Sequence, residues 1–423
     1  MPLTETGYQP RLLDEKIARY MNLFGALSVE GPKWCGKTWT ALNHANSVVY
    51  ILDSENDYAN REAARLNPAS ILSGKKPLLV DEWQEVPGIW DAVRFACDRT
   101  KEKGQFLLTG SVTPKRDRYA HSGAGRIARI RMRPMSLFES GVSSGKASLL
   151  GLFKGQKIES DASHMTQDKL IDLMIRGGWP ENINVSSADA GVLPEQYILA
   201  LAEGETTDEE EVKRNPELIK HLLSSLSRTN ATSTKLITLT SDIQTRFGDV
   251  TRQTVSTYLS FLTRLYVVEE IPQWFPELRN KLRLRKAPKR ILVDPSIAAS
   301  SLKARPSELA RDPRTLGSTF ENLCLRDLLV YAEVIGAKLS HYHDANNLEV
   351  DAIIELDNMW AALEVKLGSH RVEESASTLK RLSNTVLSKG AETPAFLAVI
   401  TGSGPLFTRE DGIHVIPIDC LKP

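Results

Sequence analysis

The sequence predicts an α/β protein of more than one domain, and three observations support this fold class. A glycine-rich segment at 31–38 stands between a short apolar run and a helical segment, which is the order of a strand, a loop and a helix. Apolar runs at 77–80 and 104–111 are typical of buried parallel strands. Carboxylates set among apolar residues near 351 and 364 predict two strands of a second sheet.

The composition is that of an ordinary folded protein. The chain has 423 residues, enough for about three domains of ~150 residues. Hydrophobic residues make up 41% and charged residues 25%, which excludes a disordered, collagenous or membrane-embedded chain. Because 53 Lys and Arg residues balance 53 Asp and Glu residues, no net charge draws the whole molecule to nucleic acid, and any such attraction must be local.

The cysteines and the N-terminal segment bear on the cellular setting. The chain has four widely spaced cysteines, Cys35, Cys97, Cys324 and Cys420, so neither a zinc site nor a disulfide framework is expected. Charged residues interrupt the apolar residues of 1–24, which does not suit a signal peptide. No run of about 18 apolar residues occurs. We therefore expect a cytoplasmic protein that makes no membrane contact.

The segment 31–38, GPKWCGKT, matches the phosphate-binding loop pattern G-x-x-x-x-G-K-[ST]. A strand is predicted before it at 26–29 and a helix after it at 39–44. Glycines let the backbone N–H groups face phosphate oxygens, Lys37 reaches the β- and γ-phosphates, and the Thr38 hydroxyl binds Mg²⁺. The expected nucleotide-binding residues are Gly31, Pro32, Lys33, Trp34, Cys35, Gly36, Lys37, Thr38 and Trp39, together with Thr109.

An acidic pair follows the apolar run 77–80. Asp81 stands at the carboxyl end of the predicted strand, where it can hold Mg²⁺ through water, and Glu82 can orient the attacking water. The alternative is an acidic loop after a strand. The order of phosphate loop, strand and acidic pair favours the metal and hydrolytic roles.

The run 104–111 ends in Thr109 and Ser111, whose hydroxyls can sense the γ-phosphate. A basic stretch comes next, and Arg126 within it is the candidate for an arginine finger that stabilises a transferring phosphoryl group. Arginines on a solvated strand face are an equal alternative, and the sequence leaves open whether a finger acts in cis or in trans. The basic residues are Lys115, Arg116, Arg118, Arg126, Arg129, Arg131 and Arg133.

Five segments together resemble a widespread group of prokaryotic AAA-type P-loop ATPases, which carry a C-terminal domain of unknown function. The segments are GPKWCGKT, LLVDEWQEVP, FLLTGS, GRIARIRMRPMSLFE and RGGWPE, and the resemblance covers almost the whole chain. It implies a central parallel sheet, ATP and Mg²⁺ as ligands, and Asp81 with Glu82 as the acidic pair. Trp34 and Cys35 depart from the smaller or polar residues of the group, and we expect Cys35 to be buried and inert.

Residues 176–180, RGGWP, predict the end of a helix at 170–175 and a following turn. This segment resembles the lid turn of the same ATPase group. An acidic run then predicts a solvated boundary between domains. Its residues are Glu203, Glu205, Asp208, Glu209, Glu210 and Glu211.

A helix-turn-helix module is predicted between about 222 and 274. Its helices are expected at 236–247 and from the N-cap Thr251 to 265, with a strand at 266–271 as the start of a wing. Helical spacing predicts that Val255, Leu259 and Leu262 are buried, whereas Arg252, Gln253, Ser256 and Thr257 form an outer recognition face. The alternative is a winged-helix-like packing module that does not contact DNA.

The segment 279–290, RNKLRLRKAPKR, has seven Lys or Arg residues among twelve and no acidic residue. Such a patch can bind phosphates of a nucleic acid or an acidic partner. Charges on the outer face of a hairpin would give the same pattern.

Glu321, Asp351, Glu364 and Lys366 of the C-terminal part, a helix Glu, a strand Asp and a Glu-x-Lys pair, resemble the site of the restriction-endonuclease-like fold. Glu321 is expected at the start of a helix, and Asp351 and Glu364 on antiparallel strands joined by a turn near 357–358. Asp351 and Glu364 can hold Mg²⁺, and Lys366 can polarise water and phosphate. A degenerate member that only binds nucleic acid or a protein is the alternative. His341 and His343 are expected to line a strand edge.

These patterns divide the chain into four predicted segments: an AAA-type ATPase core at 1–150, lid and linker helices at 151–215, a winged-helix-like module at 216–275 and a nuclease-like α/β domain at 276–423. We expect Mg²⁺-dependent ATP binding and hydrolysis, coupled through the C-terminal domain to nucleic acid or a partner protein. The alternatives are an ATP-regulated DNA nuclease and a non-catalytic ATP-gated scaffold. The sequence leaves open whether the protein forms a homo-oligomer.

Overall fold

A computed structural model describes residues 3, 7–114, 120–204, 214–276 and 287–423 of the chain. These residues form two compact units, one from Met1–Pro134 and Thr263–Tyr266, the other from Met135–Leu262 and Val267–Pro423. The predicted segment boundaries after 150, 215 and 275 stay a prediction. Parts of the predicted charged runs lie outside the described residues, namely Lys115, Arg116, Arg118, the acidic positions 205–211 and the basic positions 279–286.

The first unit is built on a five-stranded parallel sheet with the strand order β2-β3-β4-β1-β5. Its elements in chain order are α1 (Asp14–Met21), β1 (Ala26–Glu30), α2 (Lys37–Leu42), β2 (Ser47–Tyr50), α3 (Ala59–Leu66), β3 (Leu78–Asp81), α4 (Gly88–Thr100), β4 (Phe106–Gly110) and β5 (Ile127–Arg131).

The three central strands of this sheet are those that the apolar runs predict. Leu78, Leu79 and Val80 of β3 are fully buried, as are Leu107 and Leu108 of β4. Strands of a parallel sheet that are buried on both faces carry continuous apolar runs, as these strands do. The prediction of a parallel-sheet α/β core is confirmed.

The second unit contains a seven-stranded mixed sheet with the order β10-β11-β12-β13-β15-β14-β7, and helices pack against it. Its elements begin with β6 (Ala147–Ser148), α5 (Leu149–Phe153), β7 (Asp161–Ala162), α6 (Gln167–Arg176), α7 (Val192–Gly204), α8 (Pro216–Arg228), α9 (Leu236–Phe247), α10 (Arg252–Arg264), β8 (Val268–Ile271) and β9 (Lys289–Leu292). They continue with α11 (Pro295–Ser301), α12 (Pro306–Arg311), α13 (Pro313–Ile335), β10 (Lys338–His343), β11 (Glu349–Leu356), β12 (Met359–Lys366), α14 (Val372–Leu387), β13 (Phe396–Thr401), β14 (Pro405–Thr408), β15 (His414–Pro417) and β16 (Leu421–Lys422).

Strands β11 and β12 form the predicted antiparallel hairpin. Ala352 pairs with Leu363 and Leu356 with Met359, and the turn between the strands falls at 357–358. Asp357 adopts a left-handed conformation there, with φ of 52°. This register places Asp351 near the end of the hairpin that carries Glu364 and Lys366.

The middle helices agree with the predicted bounds to within one residue, whereas β8 begins at Val268, two residues later than predicted. Helix α9 spans Leu236–Phe247, and Thr251 caps α10 by accepting a hydrogen bond from the Thr254 N–H at 3.1 Å. Val255, Leu259 and Leu262 are buried, Arg252, Gln253 and Thr257 are exposed, and Ser256 is half-buried. Strand β8 pairs antiparallel with β9. The winged-helix-like assignment and the recognition role of the outer face stay predictions.

The RGGWP turn is fixed by a buried ionic group. Gly178 N–H donates to the Asp294 carboxylate at 2.9 Å, and Arg326 donates to the same carboxylate oxygen at 2.9 Å. Asp327 accepts two further hydrogen bonds from Arg326, at 2.9 and 2.7 Å. A Cβ on Gly178 would lie 2.1 Å from the Met135 carbonyl oxygen, so only glycine fits. The predicted helix end is confirmed, because α6 ends at Arg176.

One predicted helix boundary is wrong. Glu321 lies in the interior of α13, which begins at Pro313, and not at the start of a helix. Asp312 accepts hydrogen bonds from the N–H groups of Arg314 and Thr315 at 3.1 and 3.2 Å, and proline is favourable at the first helical position. The N-cap Asp312 and Pro313 therefore start the helix eight residues before Glu321.

Candidate functional site

The phosphate loop joins β1 to α2, as its motif predicts. Gly36 adopts φ of 95°, a conformation that favours glycine, and α2 begins at the next residue. A Cβ on Gly31 would lie 2.1 Å from the Met132 carbonyl oxygen, so the loop depends on glycine there as well. The conformation of Gly36 and the close approach at Gly31 therefore explain why the motif has glycine at both positions.

Lys37 is buried at the start of α2, and its Nζ donates a hydrogen bond to the Pro32 carbonyl oxygen at 2.8 Å. The ammonium group thus lies against the loop that the motif assigns to phosphate. Trp34 has φ of 65° and is 44% exposed, and Trp39 is 43% exposed. Cys35 is fully buried, as expected.

The Thr38 and Thr109 hydroxyls converge on one carboxylate oxygen. Thr38 donates to Oδ1 of Asp81 at 2.8 Å, and Thr109 donates to the same atom at 2.6 Å. Burial raises the pKa of Asp81, and the two hydroxyl hydrogen bonds oppose this shift without cancelling it. The ends of α2, β3 and β4 therefore bring the predicted metal-binding residues together.

Glu82 follows Asp81 in a left-handed conformation, with φ of 56°. Its N–H donates to the Thr109 hydroxyl at 3.3 Å, and its Oε2 accepts a hydrogen bond from Ser111 at 2.8 Å. Gln84 also donates to Oε2 through its side-chain amide. Sequence reasoning missed Gln84, although its position two residues after Glu82 is compatible with a contact between the two side chains.

Arg126, the candidate finger, forms an ion pair with Asp98 at the end of α4. Arg129 lies over the Trp90 ring, with 4.5 Å from the guanidinium carbon to the ring centroid. Arg131 lies in the same way over the Tyr266 ring, at 3.9 Å. These three arginines thus have partners within the first unit, and the finger role of Arg126 stays a prediction.

A hydrogen-bonded group beside the loop was missed. The Tyr266 hydroxyl donates to Oε2 of Glu30 at 3.0 Å, and the Thr113 hydroxyl lies 2.6 Å from the Tyr266 hydroxyl. Burial, followed by the charge of Glu30, raises the pKa of Tyr266, so its hydroxyl keeps its proton. Arg11 also contacts the loop, since its guanidinium donates to the Cys35 carbonyl oxygen at 2.8 Å.

The C-terminal residues Glu321, Asp351, Glu364 and Lys366 are brought together in the second unit. The Lys366 Nζ lies 3.0 Å from Glu364 Oε2 and 3.6 Å from Asp351 Oδ2. The Val365 N–H donates to Asp351 Oδ2 at 2.9 Å. The predicted convergence of these side chains agrees with the structure, whereas a metal-binding or catalytic role stays a prediction.

Lys289 is a further member of this group, and sequence reasoning placed it in a surface patch instead. Its side chain is 1% exposed, and its Nζ lies 2.7 Å from Glu321, 3.1 Å from Asp351 and 3.6 Å from Glu349. On β9, Lys289 and Ile291 are buried while Arg290 is only partly buried. The sequence Lys-Arg-Ile-Leu does not alternate between polar and apolar residues, and Leu292 is buried as well, so no local pattern marks Lys289 as an inward residue.

The charges of this group act on one another. Burial opposes the charge on Lys289 and on Lys366, but the neighbouring carboxylates outweigh it and raise the pKa of both lysines. Burial likewise acts against ionisation of Asp351, but the two lysines hold the pKa of Asp351 below its usual range. Burial and the Asp351 charge raise the pKa of Glu364 well above its usual range, and that of Glu321 to about 8.

His341 is buried in β10, and His343 is partly buried at its end. Among the described residues, no group of three or more His, Cys, Asp and Glu side chains has the arrangement of a metal site. In the same part of the chain, no helix has the length and apolar character needed to cross a membrane.

Comparison with known protein families divides the chain into three parts. Residues 24–140 match the family described as an AAA domain. Residues 167–308 match a domain of unknown function (DUF8612), and residues 316–421 match another (DUF4143). The first match confirms the predicted AAA-type P-loop core.

Curated proteins and solved structures provide further similarities. An uncharacterized protein of Mycobacterium tuberculosis, Rv2008c, is 23% identical over 416 residues, which are 96% of this chain and 82% of that protein. The Mycobacterium bovis protein Mb2031c matches with the same values. The Walker-type ATPase PABY2304 of Pyrococcus abyssi matches with a TM-score of 0.44 and 12% identity, covering 71% of this chain and 97% of that one. RuvB of Thermotoga maritima has a TM-score of 0.29 and 14% identity, covering 69% and 94%.

Proposed function

We propose that this protein binds and hydrolyses ATP with Mg²⁺ at the phosphate loop of its first unit. The observation that carries the proposal is the convergence of the Thr38 and Thr109 hydroxyls on Asp81, at the end of the loop that holds Lys37. A hydroxyl and a carboxylate are the hard oxygen ligands that Mg²⁺ prefers. The match to the AAA domain supports the same function.

Each residue of the site has a distinct part in this proposal. Loop N–H groups and Lys37 would bind phosphate oxygens, and Thr38 and Asp81 would hold the metal. Mg²⁺, when bound, neutralises charge that develops on the transferring phosphoryl group. Glu82 orients the attacking water and accepts its proton, while Ser111 and Gln84 fix the Glu82 carboxylate.

The test is phosphate release by the purified protein with Mg²⁺ and ATP, with and without added EDTA. We expect turnover that EDTA abolishes and that does not occur without the metal. A protein that binds no nucleotide in calorimetry and releases no phosphate would contradict the proposal.

We further propose that ATP controls what the second unit binds. Residues 263–266 belong to the first unit, and the chain on both sides of them belongs to the second. Within this segment, Tyr266 contacts Glu30 beside the phosphate loop, and the Arg264 carbonyl oxygen accepts a hydrogen bond from the Thr113 N–H at 3.0 Å. A change at the loop can therefore reach α10 and β8 through the chain itself.

The ligand of the second unit is either a nucleic acid or a protein. The exposed face of α10, with Arg252, Gln253 and Thr257, supports nucleic acid as the first ligand to test. Fluorescence anisotropy with a labelled DNA duplex, in ATP and in ADP and at two salt concentrations, separates the two. Binding that depends on nucleotide and weakens with salt supports nucleic acid. Its absence under all these conditions leaves a protein partner.

An ATP-regulated DNA nuclease is the second candidate function. The convergence of Asp351, Glu364 and Lys366 favours it. The test is nicking of plasmid DNA with Mg²⁺, with Asp351→Ala as the control variant. Nicking that Asp351→Ala abolishes would establish the nuclease, and an intact plasmid would reject it.

A further inference from the structure

The carboxylates of the C-terminal group already surround a cation that belongs to the chain. The Lys289 ammonium lies between Glu321, at 2.7 Å, and Asp351, at 3.1 Å, with Glu349 at 3.6 Å. The Lys289 side chain is 1% exposed, whereas the Lys366 side chain is 26% exposed. The most buried cation of this group is therefore the one that the restriction-endonuclease-like pattern does not include.

A divalent metal at this place would need the same oxygen atoms. Mg²⁺ binds oxygen ligands at about 2.0–2.1 Å in near-octahedral geometry, so its carboxylate ligands must point at one position. Here Oδ1 of Asp351 faces the Lys289 ammonium. Oδ2 of Asp351 accepts the Val365 N–H at 2.9 Å and lies 3.6 Å from the Lys366 ammonium. Both oxygens of Asp351 are thus engaged with groups of the protein.

The backbone of β9 holds Lys289 in this position. Strand β9 pairs with β8, with Lys289 opposite Ile271 and Arg290 opposite Glu270. Arg290 points to the other side, where its guanidinium donates to Glu270 at 2.9 Å and to the Thr234 carbonyl oxygen at 2.8 Å. At the end of the strand, the Leu292 carbonyl oxygen accepts a hydrogen bond from Asn322 at 2.8 Å. The pairing with β8 and the contacts of Arg290 and Leu292 therefore fix the direction of Lys289.

We infer that the Lys289 ammonium takes the place of the divalent metal at Asp351, so that the C-terminal charge group binds no Mg²⁺ and supports no metal-dependent cleavage. The residues present do not fit the metal that the restriction-endonuclease-like pattern implies, because the Lys289 ammonium already pairs with Asp351, and Glu364 pairs with Lys366. This inference concerns the second unit and holds whether or not the first unit hydrolyses ATP. It favours a binding role for the second unit over the nuclease alternative.

The test is Mn²⁺ binding to the full chain without nucleotide. Calorimetry and electron paramagnetic resonance measure this binding. We compare the wild-type protein with Asp351→Asn, Lys289→Met and the double variant Lys289→Met/Asp351→Asn. We expect the wild type and Asp351→Asn to bind Mn²⁺ equally, because Asp351 contributes to no metal site. Lys289→Met should acquire a Mn²⁺ site whose affinity is at least about tenfold higher than that of the wild type, because the positive charge that repels the metal is removed. The double variant should lose that site.

Two results would overturn the inference. One is Mn²⁺ binding by the wild type that is lost in Asp351→Asn, and the other is a folded Lys289→Met that acquires no site. Because Lys289→Met leaves buried carboxylates without their ammonium, its fold is checked by circular dichroism, with Lys289→Arg as the charge-conserving control. If Lys289→Met does not fold, the comparison of wild type with Asp351→Asn still decides the inference.

Discussion

The Tyr266 hydroxyl donates a hydrogen bond to the Glu30 carboxylate at 3.0 Å, and Glu30 is the residue before the phosphate loop. Because the Tyr266 proton is used in this bond, the Thr113 hydroxyl must donate to Tyr266. Thr113 is the last of three hydroxyl residues at alternate positions, of which the first, Thr109, lies near the end of β4. Thr109 contacts Asp81, Ser111 contacts Glu82, and Thr113 contacts Tyr266. One short segment thus connects the acidic pair with Tyr266, two residues after the end of α10.

We predict that Tyr266→Phe weakens the effect of ATP on the second unit. The variant keeps the ring under Arg131 but removes the hydroxyl that contacts Glu30 and Thr113. The coupling free energy between ATP and the second unit should fall by about 0.5–2 kcal/mol, the range for residues that connect two sites. The measurement is hydrogen exchange of the peptides at 252–271 with and without ATP, in a Glu82→Gln background.

Tyr258→Phe is the matched control for this experiment. It removes a hydroxyl from α10 that accepts a hydrogen bond from the Asn215 N–H at 2.8 Å, within the second unit. We expect Tyr258→Phe to keep the ATP-dependent difference in exchange. Equal differences in the wild type and in Tyr266→Phe would remove Tyr266 from the coupling.

We predict that Lys37→Ala abolishes ATP binding. The variant removes the buried ammonium that lies against the loop, and charge-assisted hydrogen bonds to phosphate are lost with it. A fall in affinity of about a hundredfold or more is expected, and calorimetric titration with Mg²⁺-ATP measures it. Lys103→Ala, which changes an exposed lysine of the same unit, should bind ATP normally. Unchanged ATP affinity in Lys37→Ala would contradict the assignment of the phosphate loop as the nucleotide site.

We predict that Glu82→Gln binds ATP but hydrolyses it slowly. Glutamine can still accept the hydrogen bond from Ser111, so the side chain keeps its position, but it cannot accept a proton from water. Turnover should fall by about 10²–10⁴-fold, the usual contribution of a general base. Single-turnover phosphate release measures this change, with the exposed Glu102→Gln as the control. A normal turnover rate would exclude Glu82 from the mechanism.

The features that could be predicted from the sequence are those formed by residues close together along the chain. The phosphate loop, the acidic pair after β3 and the β11–β12 hairpin each follow from residues within one short segment. Lys289 and Tyr266 could not be assigned in this way, since their partners are distant: Asp351 is 62 positions from Lys289, and Glu30 is 236 positions from Tyr266. A lysine in a run of cations is expected at the surface, and only the buried contacts with Glu321 and Asp351 show that this one points inward.

We predict that Asp294→Ala strongly destabilises the second unit. Asp294 is fully buried, and its carboxylate accepts hydrogen bonds from Arg326 and from the Gly178 N–H, both at 2.9 Å. Removal of one partner of a buried ion pair leaves a charge without compensation and costs about 3–5 kcal/mol. Hydrogen exchange of α13 peptides in increasing urea measures the loss. The control is Glu374→Ala, which breaks the exposed pair with Arg371 at 2.9 Å and should cost less than about 1 kcal/mol. Equal losses in the two variants would show that Asp327 alone compensates the Arg326 charge.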